Sequence, residues 1–146
     1  MKLILFFALI FSSSAFAQGD TPFGRPADPK KAQRMVRVEM TDQMRFSPVE
    51  IAVQRGETIR FEVINKGKLE HELVLGTLAG LKQHLEHMKQ HAGAAHEEGD
   101  KRNEVEVAPG KRGIIGWQFT KAGEFYYGCL VPGHFEAGMI GKVLVK

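Results

Sequence analysis

Cysteine is nearly absent from this chain of 146 residues: Cys129 stands alone. No intramolecular disulfide can form, so a packed apolar core has to hold the fold. Charge of one sign is also lacking. Twenty Lys and Arg face 17 Asp and Glu, and the formal excess of +3 is spread along the chain instead of gathered in a block. That balance gives no basic surface for nucleic acid. Long hydrophobic runs are missing too. The longest apolar stretch, residues 3–11, is about half of the roughly 20 residues needed to cross a bilayer.

What that short run does offer is an export signal. Met1-Lys2 precedes it, Ser12-Ser13-Ser14 follows, and Ala15-Phe16-Ala17 supplies small residues before Gln18. A positive start, a short apolar stretch and an Ala-x-Ala end read as a secretory signal peptide over residues 1–17, which predicts a periplasmic protein with no membrane anchor after cleavage. The remainder has the length of one domain. In an oxidising compartment a solitary thiol is a liability unless it is buried and inert or held by a metal.

Residues 18–33 contain Pro22, Pro26 and Pro29 with Gly19 and Gly24 and no apolar period, which predicts a flexible leader. The domain is expected over residues 34–146. From Met35 the pattern alternates, with Val36, Val38 and Met40 on one face and Arg37 and Glu39 on the other, as in a strand with one wet side. Further strands are expected at residues 49–53, 58–64, 104–107, 113–119, 124–129 and 142–145, punctuated by Gly and Pro turns. Many short strands with such turns predict an all-β Greek-key sandwich or barrel. One segment differs: Leu78, Leu81, Leu85 and Met88 recur every three or four residues, predicting one inserted helix over residues 78–91. Residues 92–102 are expected to return as a mobile loop.

The chemistry sits near the C-terminus. Cys129, His134 and Met139 are spaced five and five, with Pro132-Gly133 and Gly138 as turns that could aim all three side chains at one point. His71, in the apolar run Glu70-His71-Glu72-Leu73-Val74-Leu75-Gly76, can complete the set from another strand. Taken singly, these are a strand histidine, a loop histidine and a core methionine. Together with the lone thiol they make two imidazoles, a thiolate and a weak thioether, a donor set suited to one mononuclear copper ion that changes oxidation state.

The same residues carry a resemblance. Phe46-Ser47-Pro48, Gly56-Glu57-Thr58, Asn65, His71-Glu72-Leu73, and Tyr127-Gly128-Cys129 through Pro132-Gly133-His134 to Gly138-Met139-Ile140-Gly141 resemble the cupredoxins, the plastocyanin and azurin family. The resemblance implies a type 1 copper site, with His71, Cys129 and His134 equatorial and Met139 axial. Glu72 and Leu130 depart from the Asn and the Ser or Thr common at those places, which bears on colour and potential.

A second stripe, His84, His87 and His91, shares a face of the expected helix beside Met88 and could hold another copper ion; as a plain reading it is a polar helix flank. Met35, Met40 and Met44 read as strand core or surface. Two functions remain open. One is copper handling or tolerance, by binding or oxidising excess copper, as in cupredoxin-like proteins associated with bacterial copper tolerance. The other is electron transfer between periplasmic redox partner proteins, with His134 ringed by Leu130, Val131, Pro132 and Phe135 as a docking patch. The histidine stripe and the altered surroundings of the ligands favour the first. An enzyme is not expected, because no nucleophile and base are paired and four ligands leave no open position.

Overall fold

Alternating apolar side chains, which can be buried only if a strand has a second layer to face, set most of the architecture. The computed structural model describes residues 21–90 and 101–146; the expected signal peptide lies outside them, as do His91 and most of the expected return loop. The strands are β1 (Arg25–Pro26), β2 (Arg34–Thr41), β3 (Arg45–Ser47), β4 (Glu50–Val53), β5 (Thr58–Asn65), β6 (His71–Gly76), β7 (Glu104–Val107), β8 (Arg112–Gln118), β9 (Gly123–Gly128) and β10 (Ile140–Val145). One helix, α1 (Leu78–Gln90), follows β6. The all-β sandwich with an inserted helix is therefore the fold observed.

One sheet has the order β1-β8-β5-β2-β3 and the other β4-β10-β9-β6-β7. β2 pairs with β5 in parallel, from Arg34 opposite Ile59 to Met40 opposite Asn65, and β10 pairs with β4 in parallel; the other ladders are antiparallel. Between the sheets, Val38, Met40, Phe61, Val63, Ile115 and Trp117 meet Leu73, Leu75, Phe125, Tyr127 and Val143 in a single core. Met40 is thus core, Met44 packs against it and Met35 is exposed.

β6 departs from alternation because it is covered on both sides. Leu73 and Leu75 join the inter-sheet core, while Val74 packs with Leu81, Leu85 and Leu130 beneath α1. Every residue of this strand is buried, which explains its continuous apolar run. Met88 from the helix, Tyr126 from β9 and Phe135 from the loop after it pack against this second cluster.

The flexible leader is corrected by the structure from Thr21 onward. Phe23 is buried and its ring stacks on Trp117 with centroids 4.9 Å apart, and Trp117 Nε1–H donates to the Phe23 carbonyl at 3.3 Å. Arg25 and Pro26 then pair with Gln118 and Trp117, and Pro29–Lys31 form a 3₁₀ turn capped by Asp28. One aromatic anchor and a two-residue edge pairing, neither of which makes a periodic pattern, order this stretch. At the other end of the helical insertion, Lys101–Asn103 likewise form a 3₁₀ turn, and Asn103 donates to the Leu75 carbonyl at 2.7 Å.

Candidate metal centre

His71 opens β6, Cys129 follows the last residue of β9, and His134 and Met139 lie on the loop from β9 to β10. The sandwich places the ends of β6 and β9 side by side, since the two strands are hydrogen-bonded neighbours. The ligand loop closes on itself through its backbone. Met139 N–H donates to the His134 carbonyl and Cys129 N–H to the Met139 carbonyl, each at 3.1 Å. Gly133 and Gly138 take the positive φ values, 85° and 94°, that the two turns require. The spacing of five and five thus becomes one compact loop.

His71 Nδ1 lies 3.2 Å from His134 Nδ1 and 4.0 Å from Cys129 Sγ, and Cys129 Sγ lies 3.3 Å from His134 Nδ1. The three donor atoms fall within 4.8 Å of one another, and all three residues are buried. His71 and Cys129 have no exposure, whereas His134 keeps 9%. Met139 is fully buried in the adjoining core. Of the helix residues, His84 and His87 are exposed on α1, away from this cluster.

Each group around the centre has an identifiable second contact. Asn65, buried completely, donates to the carbonyls of Leu69 and Val107 and accepts from Gly67 N–H, which shapes the loop leading into His71. Asp42 Oδ1 lies 3.1 Å from His71 Nε2, and the same carboxylate accepts from the backbone N–H of Lys68 and Leu69. Those two backbone donors and His71 hold the Asp42 carboxyl below the usual carboxylate range, Lys68 most strongly. Glu72 takes the tying role that its position calls for: Oε1 accepts from Leu130 N–H at 2.7 Å, and its own backbone N–H points to Cys129 Sγ at 3.4 Å. Departure from Asn at this position therefore keeps the tie between the loops and changes its chemistry to a carboxylate.

Burial pushes the Cys129 thiol up to about 11, against the backbone N–H groups of Glu72 and Val131, and the Glu72 charge adds to the rise. Burial also lowers His134, with His71 acting in the same direction and Asp42 opposing it. Both effects disfavour charge on the metal-free donors. Two ring nitrogens and a sulfur that converge in a dry site, with His71 already using Nε2 on Asp42, present lone pairs to one point. A soft or borderline cation satisfies all three at once, so the residues fit a copper ion.

The helix sits close to this loop. Phe135 and Leu130 pack under Leu81 and Leu85, and Lys89 Nζ bridges Glu86 and Glu136 at 2.9 Å each. Exposed pairs of that kind are screened by solvent and contribute little, so apolar packing dominates the docking of α1. It also revises the expected apolar surface around His134: Leu130 is 1% exposed and belongs to the cluster under the helix. Val131 and Pro132 remain at the surface in part.

A buried two-histidine, one-cysteine cluster at one end of a two-sheet sandwich defines a copper-binding β protein. The chain belongs to the plastocyanin/azurin family of copper binding proteins, whose sequence pattern matches residues 32–146. It is 56% identical over 127 residues to the copper-resistant cuproprotein CopI of Rubrivivax gelatinosus, covering 87% of this chain and 75% of that protein. Identity is 36% over 172 aligned residues to the protein of the same name from Pseudomonas aeruginosa, covering 98% and 91%. Among solved structures, an auracyanin from Roseiflexus castenholzii superposes with a TM-score of 0.66 at 20% identity, covering 79% of this chain and 98% of that one. An azurin from Methylomonas sp. strain J gives 0.64 at 23%, covering 79% and 99%. Those two likenesses extend to the fold.

Sequence reasoning found the converging side chains by residue type and spacing. It missed Asp42, because a lone acidic residue after a strand carries no signal until the chain folds beside His71. The same holds for the contact from Glu72 to Leu130, although position 72 itself was marked as unusual.

Proposed function

We propose that this protein is an exported, periplasmic type 1 copper protein that binds copper as part of copper handling or tolerance, and that it is not an enzyme. The observation that carries the reading is the convergence of His71 Nδ1, Cys129 Sγ and His134 Nδ1 within 4.8 Å in a buried site. Family membership supports copper, and the copper-resistance names of the CopI relatives support the role. When bound, copper supplies a one-electron redox ion. The chain's own part would be to hold it: the imidazoles of His71 and His134 and the Cys129 thiolate would be the main donors, and Met139, buried in the adjoining core, would be a weak further donor. Among the described residues no helix is long and apolar enough to cross a membrane.

Met139→Leu is expected to keep the coloured centre and raise its potential. A weak thioether donor from Met139 would contribute little affinity but would help stabilise the oxidised ion. Its loss should lower the ratio of Cu(II) to Cu(I) affinity roughly tenfold, or about 59 mV for one electron. A redox titration of both proteins measures this. A fall in potential, or loss of all copper binding, would mean that Met139 is misassigned as a weak axial donor.

Electron transfer between redox partners is the competing role, and α1 offers a way to separate them. His84 and His87 are exposed one turn apart, and such a stripe serves a copper binder but not an electron shuttle. Replacing His84, His87 and His91 together with Gln is expected to leave the Cys129 chromophore intact while lowering copper bound per chain and tolerance of cells in a copper series. Unchanged stoichiometry and growth would exclude a second ion at this stripe and return the balance to electron transfer.

A further inference from the structure

Asp42 has no assigned part in the centre, yet three elements converge on it. It lies in the turn between β2 and β3, closed by Met44 N–H on the Thr41 carbonyl at 3.0 Å. Met44, at φ 58°, is in the left-handed region that a residue with a side chain seldom enters. The β5–β6 loop comes to meet it: Lys68 N–H reaches Oδ2 at 2.7 Å and Leu69 N–H reaches Oδ1 at 3.2 Å. Gly67 leaves the space free, since a Cβ there would collide with the Asp42 carboxylate. The third contact is different in kind. Oδ1 faces Nε2 of His71 at 3.1 Å, and His71 is buried completely while the Asp42 side chain keeps 35% exposure.

Two backbone bonds suffice to hold the loop, so the contact with the imidazole calls for its own explanation. A carboxylate accepts and cannot donate when ionised, which obliges His71 to carry its proton on Nε2. That leaves the Nδ1 lone pair aimed at Cys129 and His134. The same carboxylate places a negative charge one imidazole width from the centre, and a negative charge there favours the more highly charged state of a bound ion. Solvent reaches one side of Asp42 and weakens this field without changing its sign.

We propose that Asp42 is a positioning residue of the metal centre, fixing His71 as the Nε2–H tautomer and lowering the centre's reduction potential. The inference rests on the copper reading above. It adds an outer group that acts through His71 without touching the ion, as carboxylates paired with metal-bound histidines do elsewhere.

The test has two readouts. In metal-free protein, nitrogen NMR of the His71 ring should show the proton on Nε2 in the parent and a mixture of tautomers in Asp42→Ala. In copper-loaded protein, Asp42→Asn should keep the intense visible band while the ratio of Cu(II) to Cu(I) affinity falls about tenfold, a rise of about 59 mV in the one-electron potential. Gly67→Ala, which crowds the carboxylate out of its place without altering the charge count, should shift the potential in the same direction. A parent with its proton on Nδ1 would overturn the inference even if every variant failed to fold. So would an Asp42→Asn centre at the parental potential. A parent that takes up copper without any intense visible band would instead remove the copper reading beneath it.

Discussion

Cys129→Ser abolishes the intense visible absorption expected of the copper-loaded protein. The band arises from transfer of charge from thiolate sulfur to Cu(II), and a serine hydroxyl is neither a soft donor nor ionised at neutral pH. Cys129 is fully buried, with Sγ 3.3 Å from His134 Nδ1, so no other sulfur of comparable donor strength can replace it among the described residues. The loss should be at least about tenfold in absorbance, because the thiolate donor of the transition is gone and the two remaining imidazoles give no comparably intense visible band with Cu(II). Weak, colourless Cu(II) binding through His71 and His134 can persist. Removing the buried thiol leaves the packing of Leu130 and Met139 untouched, so a circular dichroism spectrum like that of the parent is also expected. An unchanged visible band would eliminate the site.

The four proposed ligands were legible in the sequence for a chemical reason. Thiolate, imidazole and thioether are rare enough in a short chain that their spacing around Pro132-Gly133 and Gly138 carries information by itself. The strands were legible because a half-buried sheet imposes period two, as Val36, Val38 and Met40 show. α1 was legible because its apolar residues face one way onto β6. The short strand β3 escaped notice, since three residues make no period. Asp42 and Glu72 act through contacts 29 and 58 residues away in the chain, and nothing local announces such partners. The surface predicted around His134 was overdrawn for a related reason: Leu130 follows the cysteine directly, but whether it faces solvent depends on where the helix docks.

The stretch before residue 34 makes the sharpest test of what local composition cannot show. Its prolines and glycines read as a leader, whereas Phe23 is 8% exposed, stacked at 16° on Trp117 and 6.3 Å from the Phe125 ring. If this stretch were a tether, Phe23→Ala would leave stability unchanged. Burial of a full aromatic ring between two others instead implies a cost of about 3–5 kcal/mol for its removal. A domain of this size is stable by only about 5–15 kcal/mol. The variant should therefore melt roughly 10–20 °C lower in the metal-free form. Part of the cost comes from Trp117, which would lose its stacking partner and expose one face. Its Nε1–H bond goes to the Phe23 carbonyl, so truncating the side chain removes the ring and not that acceptor. Neither Phe23 nor its neighbours Trp117 and Phe125 is a proposed ligand, so the copper chromophore should keep its position and intensity below the melting temperature. Calorimetry on parent and variant settles the point. A melting temperature within about 2 °C of the parent, well under the shift that even 1 kcal/mol brings, would restore the tether.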